Sequence, residues 1–243
     1  MLPPQTVVDE ISDGIFRLAT FVPDIGPTGF TFNQFLIRAE QPLLFHTGPR
    51  GMYPLVSSAL ASLIELSALR WITFGHLEAD ECGSMNLFLA AAPNAEVAHG
   101  AMGCMVSLND LADRPPRMLA DGEVIDLGGK RVRHIDTPHV PHGWDGRVLY
   151  EETTGTLFTT DLFASLGKGP ALSTADPVGP ADEAETMFRA TSLTPATAPT
   201  IRRLAELNPT TLAIMHGSCF TGDCAGALRA LAESYEDRLT AAG

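Results

Sequence analysis

His76, Glu78 and Asp80 occupy alternate positions of the hexapeptide His76-Leu77-Glu78-Ala79-Asp80-Glu81, directly after the apolar, β-rich segment Arg70 to Phe74. A loop leaving a strand can turn imidazoles and carboxylates at such spacing toward one point, as a metal site requires. The plain alternative is a solvated acidic loop at the start of a helix, where the peptide dipole favours carboxylates. The hexapeptide alone leaves both readings open. Three further groups stand at comparable places. His142 lies in a loop rich in His and Pro, Asp161 follows the extended run Leu157 to Thr160, and His216 follows Thr211 to Met215. Together these residues offer three imidazoles and three carboxylates. That set is harder and more anionic than the nitrogen- or thiolate-rich sets typical of zinc. Iron suits it best and manganese follows, with zinc an adventitious occupant because affinity order favours it over Fe²⁺ in most N/O sites.

Such groups need a framework that brings distant strand ends together. Apolar runs broken by turns over Val7 to Ala19, Phe30 to Ile37 and Pro42 to Phe45 predict strands. From Pro54 the period changes, and Val56, Ala59, Leu60, Leu63 and Ile64 fall on one helical face before the strand Arg70 to Phe74. Met85 to Leu89 predicts a helix ending at Pro93, so the hexapeptide is a strand-to-helix loop. Glu123 to Leu127, Arg131 to Ile135, Val148 to Glu151 and Leu157 to Thr160 predict a second sheet. Helices are expected over Ala181 to Ala190, over Ala198 to Leu207 and around Leu228 to Leu239. Mixed strands and helices in both halves favour two sheets sandwiched by helices. The Gly/Pro-rich stretch Leu166 to Ala181 reads as a loop, a candidate flap over a site.

With 243 residues, 45% hydrophobic and 19% charged, one domain over 1–243 is the expectation. A formal net charge of −13 with no Lys/Arg cluster argues against nucleic acid. The longest apolar stretch, Leu55 to Leu69, is too short and too interrupted to cross a bilayer. The start Met1-Leu2-Pro3-Pro4 shows neither the basic nor the apolar region of a secretory leader. Cys82, Cys104, Cys219 and Cys224 lack disulfide-scaffold spacing, so free thiols in the cytoplasm are expected.

The ligand pattern resembles the metallo-β-lactamase superfamily, and within it the diiron domain of flavodiiron proteins and their stand-alone oxygen-binding relatives. The resemblance runs from about Gly14 to Gly217. It rests on His76-x-Glu78-x-Asp80, on His142 with Asp161 nineteen positions later, on His216-Gly217, on Phe30 to Ile37, and on the turn Thr47-Gly48. It implies an α/β fold, the αββα sandwich of two mixed β-sheets flanked by helices. It further implies one metal held by His76, Glu78 and His142, a second by Asp80 and His216, and Asp161 bridging both at the reacting centre. The nineteen-residue spacing selects His142 over His139, three residues earlier. Hydrolytic members usually carry a second His where Glu78 stands. Two positions depart from the pattern. Glu81 stands where His is usual, and is either an added ligand or, as preferred, a helix N-terminal acid. His46 stands where Asp is usual, with a supporting or structural role. His99 and His134 are assigned to the framework, and Cys82 and Cys219 to packing.

The resemblance points to binding or reduction of O2 or NO by a dinuclear, diiron centre. The 243 residues leave no room for a flavodoxin domain, so no flavin is expected in this chain, and a separate flavoprotein would deliver electrons. A homodimer is left open. The alternative is a metal-dependent hydrolase of an ester, lactone, thioester or phosphoester, working through a metal-bound water. Glu78 weighs against it, because added negative charge makes weaker Lewis acids. Metals acting only as structural staples are least expected in a domain of this size.

Overall fold

Alternation along the central strands decides which side of each sheet a residue serves. Phe35 and Ile37 of one strand and Leu43 and Phe45 of the next face a core between two sheets, while Leu36 and Leu44 face helices on the outside. Both faces of these strands are buried, which explains their nearly continuous apolar sequence. The computed structural model describes residues 5–242, so the start at Met1 to Pro4, from which the lack of a leader is expected, and Gly243 lie outside the described residues.

The first sheet runs in chain order: β1 (Thr6–Ser12), β2 (Ile15–Val22), β3 (Phe30–Ile37), β4 (Leu43–Phe45), β5 (Trp71–Thr73), β6 (Glu96–Gly100) and β7 (Arg117–Leu119). Its first four strands pair antiparallel and its last four, from β4 on, parallel. The second sheet takes β8 (Val124–Asp126), β9 (Arg131–Asp136), β10 (Arg147–Glu151), β11 (Thr156–Phe158), β12 (Leu172–Ser173), β13 (Thr211–Ala213) and β14 (Cys219–Thr221) in the order β12-β14-β13-β11-β10-β9-β8. It is also mixed: β11 and β13 run parallel, β10 and β11 antiparallel. Parallel strands need long crossovers, and helices supply them.

On the outside of the first sheet lie α1 (Tyr53–Ala61), the one-turn α2 (Ala79–Cys82) and α3 (Met85–Ala91), with Val56, Leu60, Phe88 and Leu89 buried against it. On the outside of the second lie α6 (Val178–Phe188), α7 (Thr197–Ala205) and α8 (Cys224–Ala242), burying Ile201, Leu204, Leu228 and Leu231. The four layers form the αββα sandwich that the resemblance implies. No helix among the described residues is long and apolar enough to cross a membrane.

Several elements depart from the sequence expectations. α1 stops at Ala61 rather than continuing through Ile64. Strands β6, β7, β12 and β14 were not expected. Neither was the helical segment from α4 (Ala101–Gly103) through a π-helical turn (Cys104–Leu108) into α5 (Asn109–Leu111). The stretch Leu166 to Ala181 is not a flap. Leu172–Ser173 add an edge strand to the second sheet, and Asp176 accepts the N–H groups of Val178 and Gly179 to start α6 three residues earlier than expected.

Candidate metal centre

Three of the singled-out residues leave the C-terminal ends of strands: His76 after β5 in the first sheet, Asp161 and His216 after the parallel neighbours β11 and β13 in the second. The sheets approach closely here. The Arg147 N–H donates to Gly75 O at 3.0 Å, and the Asn33 N–H to Met215 O at 2.9 Å. A Cβ at Gly75 would fall 2.0 Å from Thr160 Cγ2, so only glycine lets the His76 loop pass this close to the strand carrying Asp161. His142 comes from the loop between β9 and β10, whose path includes the cis peptide Val140–Pro141. His139, in the same loop, is exposed.

The structure brings all six side chains to one end of the sandwich. Nε2 of His76 lies 3.5 Å from Glu78 Oε2 and 3.5 Å from Asp161 Oδ2. Nε2 of His142 lies 3.2 Å from Glu78 Oε1 and 3.4 Å from the same Asp161 Oδ2. Ligand atoms of His76, Glu78, His142 and Asp161 all fall within 4.8 Å of one another. The other Asp161 oxygen, Oδ1, is 3.2 Å from His216 Nε2, which is 3.3 Å from Asp80 Oδ2. Asp161 therefore faces two groups of side chains, one with each oxygen. His76 Nε2 and Asp161 Oδ1 are buried without a hydrogen-bond partner, and such atoms suit a cation.

Electrostatics point the same way. Burial opposes a charge on His76, but the carboxylates of Glu81, Glu78 and Asp161 outweigh it and push its pKa up to about 12. Burial likewise opposes charge on His216, and Asp161 and Asp80 push it up to about 10. The Glu78 carboxylate raises His142, while His142 and His76 hold Glu78 well below the usual carboxylate range. Asp161 is lowered too, His216 prevailing over burial. A place that makes three imidazoles hold protons this tightly has a strongly negative potential, which a divalent cation satisfies as well as protons do.

These side chains are held from behind. His216 Nδ1 stands 2.9 Å from Thr31 O, and its ring stacks on Phe30 at 4.3 Å. Leu77 N–H donates to Asp145 Oδ2 at 3.0 Å, fixing the hexapeptide. Arg17 and Asn33, both buried, donate to Gly217 O at 3.0 and 2.9 Å, and Arg17 Nε donates to Asn33 Oδ1 at 2.8 Å. These supports went unnoticed in the sequence, although a polar Asn33-Gln34 pair inside an apolar strand was a visible signal. Glu81 corrects the expectation set for it. It stands in the first turn of α2, as preferred, but as a fully buried carboxylate behind His76 and not aimed at the cavity. His46, also fully buried, lies beside it, matching the supporting role.

A cavity of about 290 Å³ opens over Glu78, Asp80, His142, Asp161 and His216, with His76 behind its lining. Its remaining wall is largely apolar, with Ile25, Phe30, Phe32 and Phe188 among the lining side chains, and α6 supplies the side where a flap was expected.

A family model described as ODP family beta lactamase matches residues 30–217. A candidate diflavin flavoprotein of Nostoc sp. (strain PCC 7120), diflavin flavoprotein A 1, is 31% identical over 138 residues, which are 56% of this chain and 24% of that protein. The rubredoxin-oxygen oxidoreductase of Megalodesulfovibrio gigas is 24% identical over 226 residues, 89% of this chain and 56% of that one. The chain thus spans between about a quarter and just over half the length of these relatives. Among solved structures, the metal-soaked Flv1 flavodiiron core from Synechocystis sp. PCC6803 superposes with a TM-score of 0.81 at 20% identity, covering 98% of this chain and 61% of that one. At that identity the likeness establishes the fold.

Proposed function

This chain belongs to the family described as ODP family beta lactamase, and on that premise we propose that it holds two iron ions and binds or reduces O2 or NO with them. His76, Glu78 and His142 would hold one ion, Asp80 and His216 the other, and Asp161 both. The observation that carries this reading is the two-sided position of Asp161, with Oδ2 toward His76 and His142 and Oδ1 toward His216. Bound iron would supply electrons and an open coordination position to a diatomic ligand.

The chain's own residues do the rest. Phe30, Phe32 and Phe188 line the approach with surface that disfavours water and admits a small apolar molecule. Phe30 and Thr31 O fix the His216 ring from two directions. Glu78 adds negative charge, which favours the higher oxidation states of a metal over its acidity toward water. The described residues are taken up by the αββα layers, so electrons would come from a flavin group outside these 243 residues. Two relatives support this reading, since one is a rubredoxin-oxygen oxidoreductase and another an anaerobic nitric oxide reductase flavorubredoxin of Pectobacterium carotovorum.

The test is to load the chain with iron, reduce it under argon, remove the reductant, admit O2, and follow both oxygen uptake and the visible spectrum. Uptake in proportion to bound iron is expected. A chain that takes up iron but consumes no oxygen or NO, and instead turns over a thioester or lactone, would overturn the reading. One observation favours that second, hydrolytic function: the cavity is far roomier than a diatomic molecule needs and approaches the size of small organic ligand sites, roughly 300 Å³ and above.

A further inference from the structure

Glu81 follows Asp80 directly, in a loop whose other acidic side chains reach the cavity, yet its carboxylate is turned the other way. Oε2 accepts the backbone N–H of Gly75 at 2.7 Å and of His76 at 2.6 Å. Oε1 lies 3.2 Å from His76 Nδ1 and 3.3 Å from His46 Nε2. The backbone is equally fixed, because Glu81 O accepts the Thr47 N–H at 2.6 Å and the Thr47 hydroxyl at 3.1 Å. His46 itself is locked in the left-handed region at φ 65°, with its N–H on Thr73 O at 2.9 Å and its ring against Phe45. Oε2 is thus hydrogen-bonded to two N–H donors and Oε1 stands within ion-pair distance of two imidazoles, on the side of the His76 ring remote from Nε2.

We propose that Glu81 is a positioning residue for His76: its carboxylate holds the proton on Nδ1, so that the Nε2 lone pair faces Glu78 and Asp161, and it gives nothing to Asp80 and His216. The proposal rests on the reading of this cluster as a metal centre. It makes the two positions unequal. One is faced by four protein groups, His76, Glu78, His142 and Asp161, the other by three, Asp80, His216 and Asp161. A cation therefore binds first and more tightly at the position with four groups, and the second keeps more room for water or an exogenous ligand. A carboxylate behind a ligating imidazole fixes its tautomer and raises its basicity, and losing one typically weakens metal binding about 10–100-fold.

Cobalt(II) titration of the metal-free full chain, followed by calorimetry and by the visible d–d bands, tests this. The wild type is expected to load in two separable steps. Glu81→Gln, which keeps shape and removes charge, should weaken the first step about 10–100-fold and shift its bands, with the second step unchanged. Because a buried variant can fold poorly, the ¹⁵N spectrum of the zinc-loaded wild type is read as well, and should show His76 protonated at Nδ1. A wild-type chain that takes up neither cobalt nor zinc sinks the metal-centre reading and this proposal with it. A wild type that loads in two steps beside a folded Glu81→Gln protein with identical steps sinks the role of Glu81 alone. So does weakening confined to the second step, which would make Glu81 a ligand there, or a His76 protonated at Nε2.

Discussion

Two groups of histidines sit in this molecule, mostly buried, and their neighbours tell them apart. His76, His142 and His216 face carboxylates, and their pKa values are raised. His99, on β6, and His134, on β9, are as deeply buried as His76 and His216 but lie beside Arg147. Burial and the guanidinium push His99 down to about 3 and hold His134 well below the usual range. His99 packs on Phe74 at 4.8 Å, and neither ring nitrogen has a hydrogen-bond partner. Burial alone makes an imidazole neutral and inert. Burial with anions makes it a group that must hold a proton or a metal.

The sharpest way to break that contrast is to remove the carboxylate facing both sides of the centre. Asp161→Ala should lower metal affinity on the order of 100-fold or more, since ligand loss exceeds loss of a supporting group, and His142→Ala should strip the four-group position. Normal iron content in both variants, measured by elemental analysis, would refute the ligand assignment. Next is the support of His216. Arg17→Met leaves Asn33 Oδ1 without a donor in a buried site and Gly217 O with Asn33 alone, and should cost about 1–3 kcal/mol in chemical denaturation. A cost under half a kcal/mol would show that the contact is slack.

The two groups should also titrate in opposite senses. In the metal-free chain, the raised pKa of His216 contributes stability that is fully present below its unfolded value near 6.5. That contribution is lost as pH rises through about 10. Denaturation midpoints should therefore fall between pH 7 and 10, and saturating zinc should remove the decline by replacing the proton. For His99 the sign reverses. Between its folded value of about 3 and 6.5 the unfolded chain binds the extra proton, so stability rises with pH there. His99→Leu should leave metal content unchanged and flatten the acid-side loss by up to about 1.4 kcal/mol per pH unit. An acid limb identical to the wild type would mean that His99 is protonated in the fold.

Most of the clustered residues were legible because each announces itself locally, as a polar residue directly after an apolar run or within a short spacing, while His142 was separated from His139 only by the spacing that the resemblance implies. The framework assignment of His99 and His134 followed from the same logic, since neither has a second candidate ligand at useful spacing. Glu81 was not legible, because its role depends on His46, thirty-five residues earlier, delivered by a strand end that spacing does not reveal. Strand β6 reads Glu-Val-Ala-His-Gly, and its pairing with β5 and β7 rather than its propensity makes it a strand. The same holds for β12 and β14, two short segments that pair across nearly fifty residues. The glycines and prolines around β12, between Leu166 and Ala181, suggested a flap because non-local pairing leaves no periodic trace.

The latch formed by Arg17 and Asn33 on Gly217 O joins residues 200 and 184 positions apart. It ties the opening hairpin to the tail of β13, so the seat of His216 exists only once the two halves of the chain have closed on each other. The side of Asp161 that faces His216 therefore takes its form only after residues 200 positions apart have met, so the geometry of this cluster reports on closure of the whole sandwich.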